Sequence, residues 1–197
     1  SQLRRDSATG QITTLARGNA NLGEVETEGL DMSISYRLPR TAYGQFSIRN
    51  ETSYLDKYRS RSSSAESWDN YAGQYFYNRV KSNTSVDWAL GNWSATWSSR
   101  YYSGVKDTCW DATGGVECNM PDFKATWGTG ANKLGSNIYH DLSVGYKTSW
   151  DGRILVGINN LFDHGPRIVR NTQASASAVD ADMPLDRFFY LRYNQSF

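Results

Sequence analysis

The chain has 197 residues and is almost neutral, with 21 Lys and Arg against 20 Asp and Glu and a formal charge of +1. This balance gives no overall electrostatic case for binding nucleic acid. The mean hydropathy is −0.64, and no apolar run approaches the roughly 18 residues of a transmembrane helix. Yet the chain holds 13 Tyr, 7 Trp and 7 Phe. A soluble domain can hold that many rings, but low hydropathy with many rings is also typical of a membrane β-barrel wall.

Seven segments alternate apolar and polar side chains with a period of two, which predicts β-strands with one apolar and one polar face. In the first segment, for example, the apolar Leu30, Met32 and Ile34 alternate with polar residues. The predicted strands span about residues 29–38, 45–54, 74–90, 92–103, 138–149, 153–161 and 187–197.

The connections between these segments alternate strictly in length. The short ones lie at 39–43, 91 and 150–152, and the long ones at 57–73, 104–137 and 162–186. Rings gather at the short-turn ends, namely Tyr36, Tyr43, Trp88, Trp93, Tyr146, Trp150 and Phe197. Short turns and an aromatic girdle at one rim, with long loops at the other, are the pattern of outer-membrane barrels. A soluble β-sandwich gives no reason for this correlation.

The polar faces carry charges such as Arg49, Glu51 and Asp87, which are too costly to bury unpaired in a dry core. They fit a wetted lumen instead. Seven strands are too few to form a barrel wide enough for such a lumen. The sequence therefore predicts an all-β, antiparallel up-and-down transmembrane β-barrel segment that further strands complete.

Residues 155–163 read Leu-Val-Gly-Ile-Asn-Asn-Leu-Phe-Asp and are followed by Pro166 and a terminal aromatic strand at 187–197. This combination closely resembles the C-terminal end of TonB-dependent outer-membrane transporters. The chain also resembles a loop tip and descending strand that lie further back in that barrel. The residues concerned are 6–12, Asn21 and 27–31.

The resemblance implies a 22-stranded barrel of the bacterial outer membrane, with long extracellular loops and short periplasmic turns. It also implies a plug domain, which this chain lacks, and the energy-driven uptake of a scarce ligand. We expect residues 1–24 to form an extracellular loop and strand top, and residues 25–197 seven barrel strands with their loops. The implied partners are the remaining barrel and plug, TonB through that portion, the barrel-assembly machinery and outer-membrane lipid.

Aromatic side chains on the long loops are the candidates for ligand binding, because exposed rings suit sugar faces or the aromatic parts of siderophores. The alternative is that they pack the loops together or form an outer aromatic girdle. The candidate substrate-binding residues are Trp68, Tyr71, Tyr75, Tyr77, Trp110 and Arg79. Four lumen cations could guide an anionic ligand, or could form ordinary pairs with Glu51 and Asp87 of the wall or with the plug: Arg49, Arg79, Lys81 and Arg100.

The motif Asn159, Asn160, Leu161, Phe162 and Asp163 could be a ligand site, but a structural role is favoured, since Asn and Asp at a strand end satisfy local backbone groups and turn the chain. By the same resemblance, the terminal strand carries a signal for the barrel-assembly machinery. The signal consists of alternate aromatic and apolar residues, Phe189, Leu191, Tyr193 and Phe197. An ordinary lipid-facing strand would show the same alternation.

No pattern indicates an enzyme, a cofactor or a metal site. The two histidines, His140 and His164, lie on different predicted elements, and no HExxH or Cys–His set is present. Two other functions remain open beside active transport: a passive porin-like or structural outer-membrane barrel, and a secreted carbohydrate-binding β-sandwich.

Cys109 and Cys118 lie close together in a Gly- and Asp-rich stretch, which favours a local disulfide in an oxidising compartment. Such a short closed loop contributes about 2.5 kcal/mol in the chain-entropy model. Mass spectrometry without reductant is expected to find the two residues linked, and two alkylatable thiols would contradict the pairing.

Overall fold

A computed structural model of the chain describes residues 3–15, 23–74, 76–106, 133–167 and 186–196. Its regular secondary structure is entirely β within those ranges. No helix among the described residues is long and apolar enough to cross a membrane.

Seven long strands form a single antiparallel wall, in the spatial order β12-β11-β10-β7-β6-β4-β3. Three short pairings stand beside this path: β1 with β2, β5 with β4, and β8 with β9. The strands are β1 (Leu3–Arg5), β2 (Ile12–Leu15), β3 (Glu24–Arg37), β4 (Gln45–Arg61), β5 (Asp69–Asn70), β6 (Val80–Leu90), β7 (Trp93–Tyr102), β8 (Val105–Lys106), β9 (Lys133–Leu134), β10 (Asn137–Lys147), β11 (Gly152–Asn159) and β12 (Phe188–Gln195). Each neighbour in the wall is also the next long strand along the chain, so the topology is the predicted up-and-down meander.

The register divides the wall into an apolar face and a polar face. One row of directly paired residues crosses all seven strands on the apolar face: Tyr36, Ile48, Val86, Trp97, Leu142, Ile158 and Phe189. The adjacent row on the polar face is Arg37, Ser47, Asp87, Thr96, Ser143, Gly157 and Tyr190. A one-residue slip at any strand would exchange these faces, which is why the hydrophobic pattern specifies the register.

The apolar face is open to its surroundings. Leu30, Phe189 and Leu191 expose 65%, 63% and 72% of their surface, and Val105 and Tyr139 are the only buried hydrophobic residues in the described part of the chain. A soluble sandwich would cover such a face with a second sheet. This wall is instead suited to hydrocarbon on one side and water on the other.

The polar face lines the hollow side. A cavity of about 340 Å³ opens there, and its walls include Arg37, Asp87, Thr96 and Arg153. Charged side chains in a hollow of this kind remain solvated, as a lumen requires.

Rings pair at the short-turn rim. Trp93 lies 4.7 Å from Tyr146 between ring centroids. The Trp150 Nε1–H donates to the Tyr193 hydroxyl over 3.2 Å, and the Trp88 Nε1–H donates to the Tyr43 carbonyl over 2.7 Å. Phe197, predicted to join this girdle, lies outside the described residues, as do Cys109 and Cys118.

Several predicted strand boundaries were wrong. β3 begins at Glu24 rather than Gly29, and β4 runs to Arg61, although residues 57–61 were assigned to a long loop. The reason is a bulge: Glu28 pairs with Lys57 while Gly29 pairs with Leu55, so an extra residue interrupts the alternation on β4 without ending the strand. In contrast, β6 begins at Val80 rather than Gln74, because the preceding residues form turns.

The face assignment predicts unequal costs for a charge on adjacent residues of β6. Val86→Arg places a cation on the apolar face near the middle of the wall and is expected to cost about 2–4 kcal/mol of barrel stability. Ser85→Arg places the same side chain in the wet hollow and is expected to cost far less. Reversible unfolding in lipid measures both, and equal penalties would contradict the barrel.

Candidate ligand-binding site at the long-loop rim

Three tyrosines meet near the long-loop end of β4 and form what is here called the tyrosine cluster: Tyr58, Tyr71 and Tyr77. Tyr58 and Tyr77 stack with ring centroids 4.5 Å apart and an interplanar angle of 24°. Tyr71 lies 5.7 Å from Tyr77 and meets Tyr58 edge-on at 6.3 Å. Together the rings form a compact aromatic surface with hydroxyl groups at its edge.

The chain between β5 and β6 is folded back on itself to bring these rings together. The Tyr71 N–H donates to the Tyr58 carbonyl over 2.8 Å, and the Gly73 N–H donates to the Tyr77 carbonyl over 2.7 Å. Gly73 has a φ of +84°, a left-handed conformation that glycine adopts without a steric penalty. The Lys106 N–H also bonds the Gly73 carbonyl over 2.8 Å, which ties this turn to β8.

The Tyr77 hydroxyl stays protonated at neutral pH. Burial raises the pKa of Tyr77, and the hydrogen bond and charge interaction with Tyr58 act in the same direction. Tyr77 therefore offers the cluster a hydroxyl that both donates and accepts, rather than a phenolate. Such a surface suits a polar ligand with a flat or aromatic face.

Trp68 belongs to a different cluster. Its ring lies under the guanidinium groups of Arg59 and Arg61, at 4.5 and 4.6 Å from centroid to Cζ. Arg59 also pairs with Glu26 at 2.5 Å, and Arg61 with Glu24 at 2.6 Å. Since Tyr58 alternates with these two arginines along β4, Trp68 lies on the other side of the strand from the tyrosine cluster.

The Arg79 side chain bonds the backbone of β4 at its bulge. Its guanidinium donates to the Asp56 carbonyl over 3.0 Å and to the Leu55 carbonyl over 3.5 Å, where the bulge of β4 leaves acceptors to be satisfied. Of the predicted binding residues, the structure thus unites Tyr71 and Tyr77 and separates Trp68 from them. The Arg79 side chain lies against the turn of the cluster, with its Nε 3.2 Å from the position that a Cβ at Gly73 would take. Tyr75 and Trp110 lie outside the described residues.

Sequence reasoning missed Tyr58, which completes the cluster. The residue was assigned to a loop because the alternation breaks at the bulge two residues earlier. The available signal was the pairing of acidic residues on β3 with basic residues on β4, which continues the ladder past the bulge as Glu28–Lys57 and Glu26–Arg59.

The Asn159–Asp163 motif forms the turn at the end of β11. Asn160 is fully buried and has a φ of +53°. Its Nδ2–H donates to the His164 carbonyl and its Oδ1 accepts the His164 N–H, both over 2.9 Å. The Asp163 carboxylate accepts the Arg187 N–H over 2.9 Å, so the motif also holds the start of β12.

The chain after this turn lies across the upper polar face. The Tyr139 hydroxyl donates to the Gly165 carbonyl over 3.3 Å, and the Arg167 guanidinium donates to the Ser103 carbonyl over 3.1 Å. His164 Nε2 lies 2.9 Å from Asn137 Oδ1. Tyr139 is consequently fully buried, although it belongs to the polar face.

The wall charges pair differently from the predicted scheme. Arg100 forms an ion pair with Asp141 at 3.2 Å, whereas the Asp87 carboxylate accepts the Thr96 hydroxyl over 2.6 Å. Within the described ranges, no ion pair joins Arg49 or Lys81 to an acidic residue. The part of the chain that the structure describes also holds no group of three or more His, Cys, Asp or Glu residues that could bind a metal.

A sequence model of the family described as TonB-dependent receptor-like, β-barrel, matches residues 2–161, most of the chain. The chain belongs to this family. Comparison of the chain with the curated proteins and with the solved structures found no match. For a barrel of a TonB-dependent receptor, the apolar face is the lipid-facing surface, the polar face lines the lumen, and the long-loop rim is extracellular. The family is one of the bacterial outer membrane, and it implies a plug domain and an interaction with TonB.

The turn at Asn160 is expected to support the stability of this receptor wall. Asn160→Ala removes two hydrogen bonds and places a residue with no polar side chain in the left-handed conformation, for an expected loss of about 2–4 kcal/mol. Asn159→Ala, one residue earlier in β11, is the control and is expected to cost less. Unfolding of the folded receptor by urea in lipid measures both, and equal costs would remove this role for Asn160.

Proposed function

We propose that this chain is the C-terminal part of the barrel of an active transporter, which imports a scarce ligand across the outer membrane with energy supplied through TonB. Membership of the TonB-dependent receptor family carries this proposal. The polar lumen face and the lipid-facing apolar face support it, because together they make a wall around an aqueous path. The chain itself performs no covalent chemistry.

We further propose that the tyrosine cluster is a ligand-binding surface of this transporter. It lies at the extracellular rim, and its stacked Tyr58 and Tyr77 rings present a flat face that carries hydroxyl groups. This chemistry favours a ligand with sugar rings or aromatic groups, such as a carbohydrate or an aromatic siderophore. The alternative role, packing of the loop alone, would leave ligand affinity unchanged when the rings are removed.

The last strand is proposed to serve assembly as well as closure. Phe189, Leu191 and Tyr193 alternate on the apolar face of β12 and expose 63%, 72% and 50% of their surface. An exposed strand of this kind is available for recognition by the barrel-assembly machinery before the barrel closes. Phe197 would continue the same parity.

Uptake by whole cells tests the transport function and the class of ligand. Cells that produce the full receptor are incubated with panels of labelled oligosaccharides and ferric siderophores, with and without a functional TonB. The expected result is accumulation of a ligand from one panel only when TonB is present. Accumulation that is independent of TonB would favour the passive porin-like alternative.

Removal of the rings then locates the site. The double variant Tyr71→Ala/Tyr77→Ala is expected to weaken binding of the transported ligand about tenfold, since each lost ring contact contributes about 0.5–1.5 kcal/mol. Tyr43→Ala, at the periplasmic rim and 80% exposed, is the control and is expected to leave binding unchanged. Calorimetry on the purified receptor measures the affinities, and equal affinity of all three proteins would exclude the cluster as the site.

A further inference from the structure

The tyrosine cluster faces the lumen, on the same side of the wall as the inward residues of β6 and β7. Glu28 lies on the outward face of β3 by alternation and pairs with Lys57, so Lys57 also points outward. Tyr58, the next residue along β4, therefore points inward. The rings of Tyr71 and Tyr77 pack against the Tyr58 ring and share its side of the wall. The candidate site is thus continuous with the lumen face below it.

Two cations lie where the cluster meets the lumen face. The Arg79 side chain lies against the turn at Gly73, and its guanidinium donates to the neutral carbonyls of Asp56 and Leu55. Lys81, two residues further along the chain, is the first inward residue of β6 and is exposed. Within the described ranges, neither Arg79 nor Lys81 forms an ion pair with an acidic residue. Both side chains therefore offer positive charge to a ligand.

The acidic residues near Lys81 do not cancel this charge. Asp141 is taken by Arg100, with which it forms an ion pair at 3.2 Å. Asp31 lies two strands away from Lys81, on the far side of β4. Glu51 is the diagonal neighbour of Lys81 in the β4–β6 register, and in the described part of the chain it forms no ion pair. The two cations below the cluster therefore outweigh the one acid beside them.

A second aromatic surface borders Lys81 on the other side. Tyr102 pairs directly with Lys81 across β6 and β7 and also faces the lumen. The Tyr102 ring meets the fully buried Tyr139 ring edge-on, with centroids 6.4 Å apart. The Tyr139 hydroxyl donates to the Gly165 carbonyl over 3.3 Å, so the chain that crosses the upper lumen holds Tyr139 in place. Tyr102 itself is half-buried and presents the rest of its ring to the lumen.

Hydrogen bonds fix the two aromatic surfaces relative to each other. The Asn78 Nδ2–H donates to the Ser103 carbonyl over 2.6 Å, and Asn78 is buried. Asn78 directly follows Tyr77 of the cluster, and Ser103 directly follows Tyr102. One buried bond thus joins the chain beside one ring to the chain beside the other. The result is a fixed sequence of ring, cation and ring along the lumen face, with Lys81 as the central cation.

We propose that Lys81 binds a carboxylate on a ligand whose sugar rings rest on the tyrosine cluster and on Tyr102, so that the transported ligand is an acidic oligosaccharide. The proposal rests on the proposed transport function and names the ligand class of its site. An oligomer of uronic acids repeats a ring and a carboxylate, which matches rings on both sides of a cation. In a ferric chelate, carboxylates that hold the metal are not free to meet a lysine, so the uronic acid fits this site better.

Calorimetry on the full receptor tests the site with short oligomers of galacturonic, glucuronic and mannuronic acid, each paired with its methyl ester. Methyl esterification keeps the sugar rings and removes the charge. At least one acidic oligomer is expected to bind, and its ester about tenfold more weakly, as the loss of one hydrogen bond between charged groups requires. Equal binding of acid and ester would overturn the proposal, and so would the failure of every acidic oligomer to bind.

Variants then separate the charge from the rings. Lys81→Gln is expected to lower the affinity for the acid to that of the ester, and Lys81→Arg to keep the preference for the acid. Tyr102→Ala is expected to weaken acid and ester alike, about three- to tenfold, because it removes a ring contact and leaves the charge. Lys147→Gln, the same substitution at the periplasmic rim, is the matched control and is expected to change neither affinity. A preference for the acid that survives in Lys81→Gln would contradict the proposal, as expected if Lys81 only pairs with the plug.

The uptake assay separates this proposal from the transport function. TonB-dependent uptake of a neutral sugar or a ferric chelate, by a receptor that binds no acidic oligomer, overturns the carboxylate site alone. Binding of an acidic oligomer that depends on Lys81, in a receptor that imports nothing with a functional TonB, overturns the transport function and leaves the site.

Discussion

The pairing of backbone groups in hydrocarbon is the constraint on which the rest of this structure depends. An unpaired N–H or C=O inside a bilayer costs several kcal/mol, so a β wall must pair every strand on both sides. The seven long strands meet this condition internally through one continuous register. In the described chain, β3 and β12 each pair on one side only, so further strands of the receptor must join both edges. The wall is thus a segment of a larger closed barrel.

Much of the fold could be predicted from the sequence because a wall between lipid and water forces side chains to alternate. The presence of all seven long strands follows from that period, and their up-and-down order follows from the alternation of short turns and long loops. The period of two alone did not predict the boundaries of β3 and β4. The bulge between Leu55 and Lys57 breaks the parity on one strand alone, and a period of two has no signature for a strand that continues after such a break.

The candidate site was less predictable for a related reason. Rings in a long loop are visible in the sequence, but which of them meet depends on the turns at Gly73 and on contacts with β4. Tyr71 and Tyr77 meet because the loop returns to Tyr58, whereas Trp68 is held on the other side of β4 by Arg59 and Arg61. No periodic pattern encodes contacts between a loop and a strand, so the separation of Trp68 from the tyrosines became visible only in the structure.

The last strand shows how the two faces of the wall are specified together. Gly157 on β11 pairs with Tyr190 on β12, and the Tyr190 ring lies directly over the space that a side chain at 157 would occupy. An aromatic ring placed over a glycine on the neighbouring strand fixes register, because any larger residue at 157 would displace the ring. With Tyr190 held on the lumen side, alternation directs Phe189 and Leu191 toward lipid. The glycine in the family-like motif at 155–163 therefore determines which side chains of the final strand are available to lipid and to the assembly machinery.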